Sequence, residues 1–356
     1  MRVKGLILSG GKGTRLRPFT YTGAKQLVPL ANKPVLFYAL EDIVAANITD
    51  IGIVIGDTGD QIKAAVGDGS AFGCKVTYIQ QDRPGGLAHA VRSARHFLGN
   101  DRFVMYLGDN FIQGGITRFT DEFRTSSMAA HLLLYHVPNP HQFGVAEVEQ
   151  GRIVRLEEKP KMPKSNLALV GIYFFTSKIH EATEAIAPSA RGELEITDAI
   201  QHLIETGQGV RPEVLDGWWI DTGKMEDMLD ANRLVLLELS HRIDGDVAED
   251  CVIQGKVVIE AGATVVGSTL RGPLIIGAGS TIDHAYIGPF SAVGPDCVMR
   301  DSEIEHTIVM ERSQILHVPH RIEDSLIGRD VKVTNAPTRP RAYKLILGDH
   351  SEIAIF

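Results

Sequence analysis

The sequence predicts two structural parts, an α/β domain followed by a parallel β-helix. Up to about residue 235, short apolar runs alternate with amphipathic stretches, a pattern typical of a mixed, mostly parallel sheet flanked by helices. Beyond residue 241, aliphatic residues recur at intervals of five to seven, mostly six, which is the hexapeptide period of a parallel β-helix. At 356 residues, the chain also exceeds the usual length of a single core.

The elements of the first part follow from this alternation. Strands are predicted at residues 6–8, 51–55, 76–79, 103–107 and 130–137. Helices are predicted at residues 35–47, 61–66 and 87–98, and a bridging helix is predicted at about 225–241. In such sheets, ligands bind beyond the carboxyl ends of the strands. The glycine-rich stretch after Leu8 and the Gly108-Asp109 pair both follow strands, so we expect them to meet in one crevice.

In the second part, one aliphatic residue per short strand is expected to point into a prism-shaped core. Sixteen such positions run from Val247 to Val333, enough for about five coils of three strands. The predicted domains are therefore 1–241, 242–335 for the β-helix, and a tail at 336–356. The tail contains Pro337 and Pro340 and then an apolar stretch, and we expect it to pack back on the protein or on a partner subunit in a homo-oligomer.

Composition excludes several classes of function. There are 36 Lys and Arg against 44 Asp and Glu, a net charge of −8, so nonspecific binding to nucleic acid or anionic membrane is not expected. Cys74, Cys251 and Cys297 lack metal-ligand spacing. We expect them to be buried as small apolar side chains, in a protein that resides in a reducing compartment. Neither a signal peptide nor a membrane-spanning segment is expected, and the predicted location is cytoplasmic.

A glycine-rich loop, Ser9-Gly-Gly-Lys-Gly-Thr-Arg15, follows the first strand. Successive backbone N–H groups in such a loop can bind a phosphate chain. Arg15, Arg17 and Lys25 add positive charge beside it. The Walker spacing is absent, and Leu16 stands where the dinucleotide fingerprint requires a third Gly or Ala. The loop is thus a phosphate-binding loop of another kind.

Asp109 and Asp221 are the candidate metal ligands. Each ends a strand-like run and precedes turn-forming residues, so each carboxylate would project from the tip of a strand. Carboxylates suit Mg²⁺, which usually takes one or two of them together with phosphate oxygens. A single Asp at such a position more often caps a turn, but two in matching positions favour a magnesium site.

These motifs together resemble the sugar nucleotidyltransferases. The resemblance is carried by Gly-Gly-x-Gly-Thr-Arg-Leu-x-Pro at 10–18 and Lys-x-Leu-x-Pro at 25–29, supported by the segments at 107–110, 157–160, 191–198 and 219–223. It covers about residues 1–235 and is greatest for the long form of the branch that joins dTMP to glucose 1-phosphate. It implies a Rossmann-like nucleotidyltransferase domain and a left-handed parallel β-helix.

The resemblance also implies a reaction. The phosphate of glucose 1-phosphate would attack the α-phosphorus of dTTP in one in-line displacement, giving dTDP-glucose for deoxysugar biosynthesis and releasing pyrophosphate. Asp109 and Asp221 would hold Mg²⁺, Arg15 would orient the triphosphate, and Lys25 would neutralise charge on the leaving pyrophosphate. Positioning and electrostatic stabilisation suffice for such a transfer, so no side-chain nucleophile is required.

The same resemblance assigns two sets of binding residues. The expected nucleotide-binding residues are Leu8, Gly10, Gly11, Gly13, Thr14, Arg15, Gln81 and Gly86. The expected sugar-phosphate residues are Gly144, Glu158, Lys159, Val170, Tyr173, Arg191 and Trp219. An amide such as Gln81 offers a donor and an acceptor to a pyrimidine edge. The loop from Gln81 to Gly86 reads Gln-Asp-Arg-Pro-Gly-Gly and keeps the family's anchors, while Asp82 and Arg83 leave open how the loop contacts its neighbours.

Four alternatives stay open from sequence. The nucleotide could be UTP, because one methyl and one hydroxyl separate it from dTTP, and the sugar could be N-acetylglucosamine 1-phosphate. The β-helix could be an acyltransferase that uses His284, His306, His317 or His320 as a base. The chain could also be a noncatalytic sensor of sugar nucleotides, although retention of all the charged motif residues disfavours this.

Overall fold

The structure is a computed structural model that describes residues 2–11, 13–335 and 349–353. The chain divides into two units. The first comprises Met1–Lys12, Gly23–Leu27 and Val35–Asp221, and the second comprises Gly13–Thr22, Val28–Pro34 and Thr222–Phe356. The bounds 1–241, 242–335 and 336–356 stay predictions. Most of the tail, residues 336–348 and 354–356, lies outside the described residues.

The elements up to residue 238 alternate as the sequence predicts. The helices are α1 Val35–Ala45, α2 Gly59–Val66, α3 Leu87–Ser93, α4 Arg95–Leu98, α5 Thr117–Thr125, α6 Lys178–Ala185, α7 Ile196–Glu205 and α8 Met225–Glu238. The strands are β1 Val3–Ser9, β2 Pro29–Leu30, β3 Lys33–Pro34, β4 Asp50–Ile55, β5 Lys75–Gln80, β6 Arg102–Leu107, β7 Asn110–Ile112, β8 Ala130–His136, β9 Gly144–Glu149, β10 Arg152–Glu158, β11 Leu167–Phe175, β12 Val210–Val214 and β13 Trp219–Asp221. Of these, β2, β3 and α8 belong to the second unit.

A mixed sheet forms the centre of the first unit. Its order is β10-β9-β11-β6-β1-β4-β5, with β8 pairing β11 and β12. Strands β6, β1, β4 and β5 run parallel, whereas β11 is antiparallel to β6, β8 and β9. The carboxyl ends of β1 and β6, at Leu8 and Leu107, therefore lie side by side at the same edge of the sheet. The predicted α/β fold class with a mixed sheet is confirmed.

Both faces of this sheet are covered. Ile7 belongs to a buried cluster that contains residues of α1, while Leu6 and Leu8 belong to a second cluster that contains residues of α3 and α7. Successive side chains of a strand point to opposite faces, so a strand buried on both sides needs an almost continuous apolar run. Strand β1 meets that need and ends where the polar loop begins.

The second unit contains the parallel β-helix. Its strands are β14 Arg242–Ile243, β15 Asp246–Val247, β16 Val252–Gln254, β17 Val257–Ile259, β18 Thr264–Val266, β19 Thr269–Arg271, β20 Leu274–Ile276, β21 Thr281–Asp283, β22 Tyr286–Ile287, β23 Ala292–Val293, β24 Val298–Arg300, β25 Glu303–Glu305, β26 Ile308–Val309, β27 Gln314–Leu316, β28 Ile322–Glu323, β29 Leu326–Ile327 and β30 Lys332–Thr334. Successive strands enter three sheets in rotation.

The register of the β-helix follows the aliphatic period. Ile259 pairs with Ile276, which pairs in turn with Val293 one coil later, and all three are fully buried. The stacked parallel strands are consistent with the left-handed β-helix that the resemblance implies. Because each coil contacts its neighbours, the aliphatic column forms a continuous core. This part of the fold-class prediction is also confirmed.

One sheet of the β-helix is buried on its outer side as well as its inner side. Its outward residues Val258, Ile275 and Ile308 are at most 5% exposed, as expected of a face that is covered within the unit. In the same unit, the fully buried Asn232 of α8 accepts a hydrogen bond from the Ala31 N–H (2.8 Å). Its side-chain N–H₂ group donates to the Phe290 carbonyl (2.9 Å).

The loop 13–22 also contacts the far end of the β-helix within the second unit. A side-chain carbon of Phe19 lies 3.5 Å from the position that a Cβ would occupy on Gly328. Tyr21 stacks with His350, their ring centroids 6.0 Å apart. In addition, Asn32 donates to the Val293 carbonyl at 2.9 Å. Segments from the amino-terminal end of the chain are therefore packed into the β-helix unit.

The cysteine prediction is partly wrong. Cys297 is fully buried, and burial raises the pKa of its thiol to about 11. Cys74 and Cys251 are only partly buried, because Cys74 lies in a turn and Cys251 at the start of a coil.

Among the described residues, no helix is long and apolar enough to cross a bilayer.

Candidate active site

The site begins where β1 and β6 end together. The Gly108 N–H donates to the Leu8 carbonyl at 3.0 Å, so the chain leaving β6 lies against the chain entering the glycine-rich loop. Asp109 follows at once. The parallel pairing of two apolar strands thus brings Leu8 and Asp109 to one edge of the sheet, as the sequence predicts.

Lys25 and Asp109 form an ion pair in which Nζ contacts Oδ2. Both side chains are about nine-tenths buried, with exposed fractions of 12% and 13%. Burial alone would raise the pKa of Asp109, but the Lys25 ammonium and the Asn110 amide outweigh it and lower that pKa. Asp109 is therefore held as a carboxylate, the form that a divalent cation requires.

A two-stranded ribbon brings Asp221 beside Asp109. In the antiparallel pair β7–β13, Asp221 lies directly opposite Asn110, and directly opposed residues have Cα atoms about 4.5–5.5 Å apart. The Trp219 indole N–H donates to Asn110 Oδ1 at 2.8 Å and fixes this ribbon. The two predicted metal ligands are thus one residue apart across a ladder. The predicted sugar contact of Trp219 stays a prediction.

Gly171 lets the sheet approach this ribbon. A Cβ on Gly171 would lie 2.8 Å from the Asn110 side chain, so any larger residue would push the two apart. The register of β11 against β8 also shifts between Leu169 and Tyr173. Such irregularities are common next to active sites because they redirect side chains. Val170, predicted to line the sugar pocket, is fully buried at this shift.

Tyr173 lies between Asp221 of the ribbon and Glu158 of the predicted sugar pocket. Burial raises its pKa, and the charges of Glu158 and Asp221 raise it further. The phenol consequently stays protonated and can donate a hydrogen bond. The structure therefore brings Tyr173 near both Glu158 and Asp221, as a pocket shared by sugar and metal would require.

Glu158, Lys159 and Arg191 lie together. Glu158 pairs with Gly144 across β9–β10, and it contacts Arg191 at 3.4 Å and Lys159 at 3.7 Å. Burial raises the pKa of Glu158, assisted by Glu195, against the opposing charges of Lys159 and Arg191. The pocket thus combines a carboxyl group with two cations, a set suited to sugar hydroxyls and a phosphate.

Arg191 is also held by a second carboxylate. Its Nη2 contacts both oxygens of the buried Glu195, at 2.8 and 2.9 Å, and Ser189 donates to the same carboxylate at 2.7 Å. These contacts fix the guanidinium next to Glu158. Its predicted role as a phosphate ligand stays a prediction.

The predicted base-binding residues surround the end of β5. Gln81 follows that strand, and its Oε1 lies 3.1 Å from the position that a Cβ would occupy on Gly10. Gly86 has φ = +95°, and a Cβ there would lie 2.5 Å from the Leu194 carbonyl oxygen. Only glycine fits this backbone without strain. Gly10, Gln81 and Gly86 thus lie close together, and their contact with the base stays a prediction.

Gly13, Thr14 and Arg15 belong to the second unit. Gly13 precedes a short 3₁₀ helix, Thr14–Leu16, and its carbonyl accepts hydrogen bonds from the Leu16 N–H (2.9 Å) and from Thr20 Oγ1 (2.6 Å). Burial raises the pKa of Asp227 on α8, and the charges of Lys224 and Arg15 oppose that rise. Arg15 is therefore near Asp227. Its contact with the triphosphate stays a prediction.

The carboxylates of Asp109 and Asp221 fit a magnesium ion. Hard oxygen donors are what Mg²⁺ prefers, and it usually keeps waters and takes phosphate oxygens alongside one or two carboxylates. Within the described part of the chain, no cluster of three or more His, Cys, Asp or Glu side chains is able to hold a metal. Two carboxylates are a sufficient protein contribution where phosphate oxygens of a substrate supply further ligands.

Sequence reasoning missed several residues of the site. Gln26 is 2% exposed, and its Oε1 has no hydrogen-bond partner. Glu195 and Asn110 orient Arg191 and Trp219, and His89 contacts Gln81. Gln26 lies within the motif at 25–29, and Glu195 lies within the segment at 191–198. A polar residue among apolar neighbours in these motifs could have indicated a role in the site. Contacts made by Asn110 and His89 depend on tertiary packing.

Three of the four histidines considered for acyl transfer have structural partners. Nδ1 of His284 lies 2.6 Å from Asp283, that of His306 2.6 Å from Asp324, and that of His317 2.8 Å from Asp301. All three histidines have φ between 43° and 54°, a turn conformation that His, Asn and Asp adopt more readily than most residues. The contacts therefore give these side chains a role in the turns between strands.

The fold and site define a class of enzyme. The family described as nucleotidyl transferase matches residues 4–238, about two-thirds of the chain, and this chain belongs to that family. It is an enzyme of nucleotidyl transfer with a carboxyl-terminal β-helix. The prediction of a nucleotidyltransferase is thereby confirmed, and the noncatalytic alternative is disfavoured.

Similar proteins identify a particular branch. The chain is 56% identical over 354 residues to a glucose-1-phosphate thymidylyltransferase of Streptomyces griseus, covering 99% of each. It is also 56% identical over 355 residues to the enzyme of that name in Streptomyces antibioticus, again covering 99% of each. A crystal structure described as a putative glucose-1-phosphate thymidylyltransferase of Bacillus anthracis is similar with a TM-score of 0.63 and 38% identity, covering 67% of this chain and 97% of that one. The resemblance to the long form is confirmed, because the first two similarities extend through the β-helix.

Proposed function

We propose that the chain is a glucose-1-phosphate thymidylyltransferase that converts dTTP and α-D-glucose 1-phosphate into dTDP-glucose and pyrophosphate. The observation that carries the assignment to this site is the pairing of β7 with β13, which brings Asp221 opposite Asn110 and beside the Lys25–Asp109 ion pair. Near-full-length similarity to two enzymes of this name supports the choice of substrates.

In the proposed mechanism, the chain positions the phosphate of glucose 1-phosphate, which attacks, next to the α-phosphate of dTTP, which is attacked. A phosphate oxygen of glucose 1-phosphate attacks the α-phosphorus of dTTP, and the bond from that phosphorus to the bridging oxygen breaks as pyrophosphate leaves. Lys159 holds the attacking phosphate, and Glu158 binds sugar hydroxyls. Lys25 and Arg15 stabilise negative charge on the triphosphate. Binding both reactants side by side supplies most of what such a transfer needs.

Asp109 and Asp221 would hold Mg²⁺, which when bound neutralises charge on the phosphates. Lys25 keeps Asp109 ionised, and the Trp219–Asn110 hydrogen bond keeps the ribbon that carries Asp221 in register. Magnesium is the metal of this proposal. A cytoplasmic location, where both phosphorylated substrates are available, and association of chains through the β-helix and tail are part of it as well.

A panel of substrates tests the proposal. Purified protein is incubated with Mg²⁺, one nucleoside triphosphate (dTTP or UTP) and one sugar phosphate (glucose 1-phosphate or N-acetylglucosamine 1-phosphate), and pyrophosphate release is followed. We expect the highest kcat/KM with dTTP and glucose 1-phosphate. A higher value for N-acetylglucosamine 1-phosphate or for UTP would refute the assignment and identify the substrate instead.

Replacing Lys159 by Met is expected to raise the KM for glucose 1-phosphate while leaving the KM for dTTP nearly unchanged. Met keeps the length of the side chain but removes the charge that contacts Glu158. A hydrogen bond to a charged group contributes about 1.5–3 kcal/mol, so the KM should rise about 10- to 100-fold. Steady-state kinetics with each substrate varied in turn measures this.

The matched control is Lys164→Met. Lys164 is 65% exposed and contacts Glu147 at 3.9 Å, outside the predicted pocket. We expect its kinetic constants to equal those of the wild type. Equal effects of the two substitutions on the KM for glucose 1-phosphate would contradict the role of Lys159.

A further inference from the structure

The amide of Gln81 is held in one orientation. Its Nε2 lies 3.3 Å from the Gly86 carbonyl oxygen and 3.0 Å from His89 Nδ1. A carbonyl oxygen can only accept hydrogen bonds, so the amide nitrogen and not the amide oxygen must face Gly86. Both N–H bonds of the amide are then used within the protein, and Oε1 is left to face the Gly10 side.

His89 completes this arrangement from α3. Its Nε2 lies 3.3 Å from Asp82 Oδ1, and its side chain is 13% exposed. A carboxylate next to Nε2 favours the tautomer that carries the proton on that nitrogen. Nδ1 is then an acceptor, which matches the N–H donated by Gln81. Asp82, His89, Gln81 and Gly86 therefore form one chain of hydrogen bonds, in which Gln81 donates to both Gly86 and His89, and His89 donates to Asp82.

We propose that His89 is a positioning residue for base selection, because it holds Gln81 so that only a carbonyl oxygen is presented to the base. This inference rests on the proposed function, in which Gln81 contacts the pyrimidine. The ring that fits must bring an N–H to that oxygen. Thymine and uracil carry one at N3, whereas N3 of cytosine is an acceptor and would face Oε1 with no proton between them.

The consequence concerns selectivity between pyrimidines. A site built to form a hydrogen bond strongly rejects a ligand that leaves its polar group unpaired. The His89–Gln81 pair should thus separate dTTP and UTP from cytidine nucleotides and leave dTTP and UTP alike. Asp82 acts one step further away, through its contact with His89.

The test compares dTTP with dCTP, each with glucose 1-phosphate, in His89→Leu and His89→Gln. Leu removes the acceptor, whereas the Gln carbonyl can accept the Gln81 N–H. We expect His89→Leu to lower the dTTP to dCTP ratio of kcat/KM about 10-fold, the equivalent of one hydrogen bond of about 1.4 kcal/mol. The change should lie in the KM for dTTP, with kcat within about twofold, and His89→Gln should restore most of the ratio.

Two further variants decide the remaining outcomes. His96→Leu on the exposed side of α4 is the matched control and should keep the wild-type ratio. Asp82→Ala alters a side chain that is 78% exposed, so it should fold and reduce the ratio less than His89→Leu; it decides the question if His89→Leu does not fold. An unchanged ratio, or an equal fall in kcat for both nucleotides, overturns the inference. Wild-type protein that releases pyrophosphate from neither substrate would instead refute the proposed function.

Discussion

Replacing Asp109 by Asn is expected to slow pyrophosphate release from dTTP about 10²- to 10³-fold, the loss typical when one preorganised charge-stabilising group is removed. Asn keeps the shape of the side chain but cannot supply the carboxylate that pairs with Lys25 and that Mg²⁺ requires. Asp221→Asn should have an effect of similar size. Raising the Mg²⁺ concentration should recover part of the activity in either variant, as measured by coupled detection of pyrophosphate.

Asp60→Asn is the control for both substitutions. Its carboxylate is 99% exposed and contacts Lys63 at 3.1 Å in the first turn of α2, so its removal should leave kcat and the magnesium dependence unchanged. If Asp109→Asn and Asp221→Asn released pyrophosphate at more than half the wild-type rate, the metal site would have to be placed elsewhere.

Replacing Asn232 by Ala is expected to lower the free energy of unfolding by about 2–5 kcal/mol. The substitution leaves the buried Ala31 N–H and the Phe290 carbonyl without their partner, and each such loss costs about 1–3 kcal/mol. Urea denaturation followed by circular dichroism measures the change. The loop 28–34 should also become more accessible to protease, since Ala31 is one of its anchors.

Asp230→Ala on the same helix separates this effect from a general weakening of α8. Asp230 is 62% exposed and contacts Arg233 at 3.6 Å, and exposed ion pairs contribute about 0–1 kcal/mol. The free energy of unfolding of the Asp230→Ala variant should stay within about 0.5 kcal/mol of the wild-type value. A loss below about 1 kcal/mol for Asn232→Ala would mean that the buried hydrogen bonds of Asn232 find other partners.

The sequence predicted the fold well because both parts of the chain have strong periods. Strand β1 is apolar on both faces and ends in a polar loop, and the β-helix repeats an inward apolar residue from strand to strand, buried in the middle coils and partly buried in the terminal ones. These signals are local and survive without knowledge of tertiary contacts. The boundary of α8 was less accurate, since the helix ends at Glu238 rather than at about 241.

The sequence predicted those candidate site residues that lie within recognisable motifs. Asp109, Asp221 and Lys25 all follow strands or turns that the sequence marks, and the structure brings the three together. What the sequence did not predict is the set of residues that orient them. Asn110 and His89 act through partners 109 and 8 residues away in the chain, and no local pattern distinguishes such a residue from an ordinary polar one.

The contact between Phe19 and Gly328 has a consequence for the order of events during synthesis. The loop 13–22 leaves the ribosome about 300 residues before its partner in the last coils, an interval of roughly 15–60 s at 5–20 residues per second. Likewise, Ala31 is synthesised well before its hydrogen-bond partner Asn232, and Asn232 is synthesised before its own partner Phe290. The central sheet of the first unit can form during that interval. The segment that carries Arg15 therefore reaches its final surroundings within the second unit only after the last coils have been made.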